Sequence, residues 1–197
     1  AHRIATQLKH KRVNDHLRAM VQEGFKAAVT DPLTGLYNRR YAMTHLCHQF
    51  QRATQGQTAL ELFVPNLDFF KRVNDAYGLA AGDQVLRRVA KLLQHVTRAS
   101  DMVARIGGEE FLVVLPDASA EIAGNIAERV CTMIRRLKIG PNLIEITASI
   151  DVSLRYNAAQ THVHLTTQEL LKQADRALYR AKAMGRDRVS YFAEQAA

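Results

Sequence analysis

With 197 residues, 47% of them hydrophobic, the chain has material for one good core and little length for a second. No apolar run approaches the roughly 18 residues of a membrane span, no stretch has the layout of a signal peptide, and Cys47 and Cys131 are too isolated for a disulfide framework or a metal knuckle, so both read as buried, inert thiols in a cytoplasmic protein. A net charge of +8 and a pI near 9.8 suit a polyanionic partner; with no aromatic-interleaved basic stripe and no DNA-reading motif, a polyphosphate nucleotide fits better than a nucleic acid.

Residues 1–29 carry Ile4, Leu8, Val13, Leu17, Val21 and Phe25 among many charges and no proline, which predicts an amphipathic helix. Such a helix ahead of a domain serves as a linker or dimerisation stalk, although this stripe is not a clean heptad. Asp31-Pro32 and Gly35 then punctuate the chain into a turn, and a helical pattern resumes from Asn38 to Phe50. Residues 59–70, "ALELFVPNLDFF", read as a strand in which Pro65 marks a bulge or a sheet edge. Val85, Leu86, Val89, Leu92, Leu93 and Val96 line one face of the next helix. A strand pair around Gly107 and Gly108, a helix over "SAEIAGNIAERVCTMIRRL" and a strand over "NLIEITASIDVSL" follow. A long helix then starts at a Thr cap and stops near Gly185, and "RVSYF" is a closing strand. Strands alternating with helices around one hairpin predict an α/β (α+β) fold with a central mixed sheet and surrounding helices.

Polar residues gather in a few places. "RIGGEEFLVVLP" sets two glycines and two carboxylates between apolar runs, where glycine lets a ligand approach the backbone and an extended chain sends Glu109 and Glu110 to opposite sides. Asn66, Asp68, Phe70, Lys71, Asn74, Asp75, Gly78 and Asp83 form a second group, in which Asn66 and Asp68 share a strand face. Oxygen ligands at a strand end beside the hairpin suit Mg²⁺, although solvated surface charge explains them as well. Lys182 and Arg186, at helical spacing, can hold a triphosphate or simply coat a helix. "RASD", Arg98 to Asp101, offers a fork for guanine edges and phosphates, or an ordinary salt-bridged turn.

In their joint order, "DPLTGLYNRR", "NLDFFKRVNDAYG", "GDQVL", "RASD", "RIGGEEF", "TASI" and "ADRALYRAKAMGR" resemble the GGDEF family of diguanylate cyclases over residues 30–192. The resemblance implies a fold like the palm of nucleotidyl cyclases with the signature on a β-hairpin, a stalk over 1–29 and a GGDEF domain over 30–197. It implies an enzyme that condenses two GTP into cyclic di-GMP and two pyrophosphates across a homodimer, with Mg²⁺ or Mn²⁺ as cofactor. By match to the family's motifs, Glu109 is a metal ligand with Asn66 and the Leu67 carbonyl, and Glu110 assists the metal or the attacking hydroxyl. Gly107 and Gly108 admit the nucleotide, Phe70 and Lys71 give backbone contacts to phosphate, Asn74 and Asp83 bind guanine, and Lys182 and Arg186 neutralise the triphosphate. Arg98, Asp101 and Arg129 match an inhibitory site for cyclic di-GMP. Because the chain opens on Ala1, an upstream sensor or receiver domain is expected.

Four positions depart from the family pattern. Asn66 stands where a metal-binding aspartate is usual, Leu79 replaces a histidine, Ile106 an aromatic and Asp151 a glycine. Even changes beyond the ligands themselves cost a metal site roughly 10- to 100-fold. Two readings follow: a working or weakened cyclase, and a degenerate, inactive domain that binds cyclic di-GMP or GTP as a receptor.

Overall fold

The computed structural model describes residues 2–55, 59–156 and 185–191. Its elements run α1 (His2–Val29), β1 (Tyr37–Asn38), α2 (Arg39–Thr54), β2 (Leu60–Leu67), α3 (Phe70–Tyr77), α4 (Leu79–Val96), β3 (Met102–Arg105), β4 (Phe111–Pro116), α5 (Ala120–Arg135), β5 (Ala148–Tyr156) and β6 (Val189–Tyr191). The strands form one mixed sheet in the order β1-β3-β4-β2-β5-β6. Its outer pairs are parallel and its inner pairs antiparallel, so the expected mixed sheet with an inserted hairpin is what forms.

Side-chain alternation splits the core across this sheet. Leu60, Leu62 and Val64 of β2, with Leu112 and Val114 of β4, pack on Ala42, Leu46 and Phe50 of α2. Phe63 and Leu67, with Phe111, Val113 and Leu115, meet α4 through Val85, Val89 and Leu93 and α5 through Ala127, Val130 and Ile134. Each of these Val, Leu, Ile and Phe side chains, fully buried, contributes about 1.5–3 kcal/mol relative to exposure. All of β2 is buried, Glu61 and Asn66 included. The predicted stripe on α4 is buried in full. Side-chain caps fix two helix starts: Asn38 accepts from the Tyr41 amide and Ser119 from the Ile122 amide, each worth about 1 kcal/mol.

Three expectations need correction. Pro65 lies on the central strand, not at an edge, and the β2 irregularity sits between Leu60 and Leu62. The β2–β4 ladder lapses after Phe63 and returns at Asn66 opposite Glu110 in the same register, since proline has no amide to donate. The strand expected from Asn142 begins only at Ala148, because Gly140, at φ +68°, and Leu143, at φ +49°, fold Ile139 back onto Ile144. Cys131 is buried as expected, with burial and the Asp187 carboxylate pushing its thiol up to about 11, but Cys47 is exposed on α2.

The helix expected over residues 1–29 forms as α1. Leu17, Met20, Val21 and Phe25 of α1 remain exposed, and the α1 end is fastened to the domain where the Asn38 side-chain Nδ2 donates to the Ala28 carbonyl at 2.8 Å. Among the described residues, no helix is long and apolar enough to cross a membrane. The long helix expected after Thr166 lies outside the described residues; its successor strand forms as β6 beside β5.

Candidate functional site

The β3–β4 hairpin carries Gly107, Gly108, Glu109 and Glu110 at its tip, as predicted. The Glu110 carbonyl accepts from the Ile106 amide at 3.0 Å, which turns the loop tightly. A Cβ on Gly107 would stand 2.7 Å from the Glu110 Oε2, whereas one on Gly108 would meet nothing within 4 Å. The first glycine therefore makes room for the protein's own carboxylate, and the second borders open space.

The neighbouring strand end closes against this tip. The Leu67 amide donates to the Glu109 carbonyl at 3.2 Å, and the Asn66 Nδ2 donates to the Glu110 Oε1 at 3.0 Å. Asn66 is 1% exposed and its Oδ1 has no hydrogen-bond partner among the described residues. A buried carbonyl oxygen left unpaired costs about 1–3 kcal/mol, so it marks a place for a further group. An amide oxygen is a donor that a hard cation accepts, and the Glu109 carboxylate at the same hairpin tip has no partner among the described residues. The donor set is lean: among the described residues, no three His, Cys, Asp or Glu side chains gather as a metal cluster.

Asp68, expected to share a face with Asn66, lies past the strand end instead. Its carboxylate accepts from the Thr147 hydroxyl, the Ser149 hydroxyl and the Asp187 amide, at 2.8, 2.7 and 3.0 Å. It is committed to joining β5 to the chain before β6. Asp187 in turn ion-pairs with Arg135 at 2.7 Å.

Helices α3 and α4 form the adjoining wall. Phe69 precedes α3 in the left-handed region at φ +54° and supplies no side-chain cap. The first α3 amides, of Phe70 and Lys71, are thus left for an outside acceptor, while the Phe70 ring itself is buried. The Asn74 side chain lies over Gly82, the residue before Asp83, where a Cβ would be only 1.9 Å from its Oδ1. Asp83 also pairs with Arg87 at 3.7 Å on the exposed side.

Arg186 sits beyond Gly185 at φ +61°, off the helical face that spacing predicted, and its guanidinium lies 4.4 Å from the centre of the Phe69 ring. It still reaches the α3 start. Lys182 lies outside the described residues.

At the opposite end of β3, "RASD" forms a self-closed turn rather than a salt bridge. The Asp101 carboxylate accepts from the Arg98 amide at 2.7 Å, which leaves the exposed Arg98 guanidinium unspent. Arg129 donates to the Val96 carbonyl at the end of α4, at 2.7 Å. Arg98 and Arg129 line one cavity of about 460 Å³ with Ile122 and Asn125. A groove of about 490 Å³ on the other side of Arg98 and Asp101 is walled by Phe25, Lys26 and Val29 of α1.

Spacing along the chain did not reveal a strut through Arg105. Its Nη1 reaches both Asp31 oxygens at 3.3 Å, and its Nε and Nη2 donate to the Gly108 carbonyl at 3.1 and 2.8 Å. The stalk junction and the hairpin tip are therefore wired together. Burial raises the Asp31 pKa, but hydrogen bonds from Thr34 and the charge of Arg105 outweigh it and hold the carboxyl below its ordinary value.

Comparison with known proteins agrees with this arrangement. The sequence model of the family described as "Diguanylate cyclase, GGDEF domain" matches residues 28–188. The response regulator PleD of Caulobacter vibrioides is 39% identical over 191 residues, covering 95% of this chain and 41% of that protein. Diguanylate cyclase A of Treponema denticola is 39% identical over 166 residues, covering 82% and 43%. The chain thus spans about two fifths of the length of these relatives. Among solved structures, the coiled coil and GGDEF domain of DgcB from Caulobacter crescentus, in complex with c-di-GMP, superposes with a TM-score of 0.81 at 28% identity, over 95% of this chain and 98% of that one. Diguanylate cyclase SiaD of Pseudomonas aeruginosa, in complex with its activator SiaC, gives 0.74 at 32% identity, over 96% and 73%. With the family's sequence model covering most of its length and the signature on the hairpin where the fold requires it, the chain belongs to the GGDEF family of diguanylate cyclases.

Proposed function

We propose that the chain is a diguanylate cyclase domain that binds one GTP, pairs with a second copy, and joins the two nucleotides into cyclic di-GMP with release of two pyrophosphates. The observation that carries this reading is the hairpin tip: paired carboxylates beside a buried, unpartnered oxygen, next to a glycine that opens onto free space. Phosphoryl transfer asks a protein mainly for positioning and charge, and each is available here. Asn74 and Asp83 select guanine, the first amides of α3 and the side chains of Lys182 and Arg186 take the phosphates, and Glu109 with Asn66 and the Leu67 carbonyl hold Mg²⁺ or Mn²⁺. When bound, the cation supplies charge neutralisation at the phosphates. Glu110 assists the metal or receives the proton of the attacking hydroxyl.

A domain that holds one nucleotide needs a partner that holds the other. The exposed stripe of Leu17, Val21 and Phe25 on α1 supports pairing through the stalk, and the DgcB relative carries a coiled coil at its GGDEF domain. Arg98, Asp101 and Arg129 bind the product and restrain the dimer, a reading supported by the c-di-GMP held by DgcB. A second reading, a receptor that binds nucleotide without turnover, is favoured by one observation: Asn66 brings no charge to the cation site.

Product formation from GTP and Mg²⁺, by chain stripped of bound nucleotide and concentrated until dimers form, decides between them. Cyclic di-GMP appearing with pyrophosphate establishes the cyclase. Its absence in a demonstrated dimer leaves the receptor.

A further inference from the structure

We propose that Asn66 takes over, in this chain, the work a cation does between paired carboxylates, so that the signature hairpin closes onto β2 without metal. The inference rests on reading this end of the sheet as the nucleotide and metal end.

Three observations combine. Asn66 is 1% exposed and gives its Nδ2 to the Glu110 Oε1 at 3.0 Å. The other oxygen of that carboxylate occupies the space over Gly107 that a Cβ would need. The same residues form the isolated bridge between β2 and the hairpin, reinforced by the Leu67 amide on the Glu109 carbonyl. Glu110 is thus seated by a neutral donor on one side and a missing side chain on the other.

An aspartate at position 66 reverses the sign of this contact. It would put a second carboxylate at hydrogen-bond distance from the first, in a place withdrawn from water, where like charges repel strongly unless a cation stands between them. The hairpin tip of such a chain is destabilised against β2 until a cation stands between them. With Asn66, attraction replaces repulsion before any metal arrives. The orphaned Oδ1 still offers a cation one neutral oxygen, yet binding there has little left to organise. Asn66 is therefore a positioning residue acting through Glu110, and it separates hairpin order from cation binding.

Thermal unfolding of the chain in EDTA and in MgCl₂, without nucleotide, tests this. The wild-type midpoint is expected to differ little between them, whereas Asn66→Asp falls in EDTA and recovers when Mg²⁺ is added. A purely packing role for Asn66 would lower the variant equally with and without metal, and that result overturns the proposal. So does a wild-type midpoint that climbs with Mg²⁺ as far as that of Asn66→Asp does. If Asn66→Asp does not fold, amide exchange at Ile106, Gly107 and Leu67 of the wild type serves instead: rates unchanged by Mg²⁺ support the proposal, and marked slowing overturns it. Binding of a non-hydrolysable GTP analogue, measured alongside with Mg²⁺ present, reports on the underlying reading alone. Failure of the analogue to bind removes the nucleotide site, while the EDTA comparison judges the hairpin independently.

Discussion

The two ends of β3 differ in kind, although four residues of strand, roughly 13 Å, are all that lie between them. At the hairpin end the polar groups are buried, pressed together and incompletely satisfied: Asn66 is pinned to Glu110 with an oxygen to spare, and Gly107 leaves no room for a Cβ. At the turn end Asp101 is spent on its own turn through the Arg98 amide, and the Arg98 guanidinium stands exposed. A site that must perform chemistry needs its carboxylates fixed before substrate arrives. A site that only captures a ligand needs a shaped backbone and cations free to reach out. The contrast predicts that lesions at one end change turnover and lesions at the other change product affinity.

The largest separation is expected from Glu110→Gln. The amide is close in shape and leaves the fold intact, but it can take no proton and brings no charge, so synthesis should fall by about 10²-fold or more. Cyclic di-GMP binding, measured by calorimetry on the same protein, should stay as in the wild type. Unchanged synthesis would remove Glu110 from the mechanism. Next in size is Arg98→Ala at the other end. Losing one exposed guanidinium with charge-assisted contacts should weaken product binding by about 10- to 100-fold, while stability shifts by no more than about 0.5 kcal/mol. The initial rate of synthesis, before product accumulates, should not move. Persistent tight binding in this variant would place the product at the hairpin end and erase the contrast.

How much of each end was legible follows from how local its cause is. The hairpin was readable because Gly107-Gly108 interrupts two apolar runs, a signal contained in a dozen residues, and the α4 stripe because helical spacing is local too. Pro65 misled because its neighbours supply the reason it is tolerated: the β4 side of the ladder simply lapses there, and the strand remains central. Asp68 looked like a spare ligand beside Asn66, yet Thr147, Ser149 and the chain before β6 had already claimed it, from partners about eighty and more residues away. Arg186 matched a helical face on paper and lies past Gly185 with left-handed geometry. The Asp31–Arg105 pair, 74 residues apart, left no mark on any window of sequence.

That pair is also where the two ends cease to be independent. Arg105 holds the Gly108 carbonyl with one edge of its guanidinium and Asp31 with the other, and the α1 residues just before Asp31 wall the groove against Arg98. Since the folded Asp31 carboxyl sits below its ordinary value of 3.8, folding favours the ionised form. Its stabilisation is complete above the unfolded value and is lost as pH falls through the lower, folded one. Asp31→Asn should therefore cost about 1 kcal/mol near neutral pH, with the gap from wild type closing only in strong acid, as denaturant unfolding at pH 6 and pH 3 would read. A gap that persists in acid would mean that what Asp31 contributes does not depend on its charge. The same variant, alone among these, should disturb synthesis and product binding together, because slack introduced at Arg105 reaches the hairpin tip directly and the Arg98 groove through the end of the stalk.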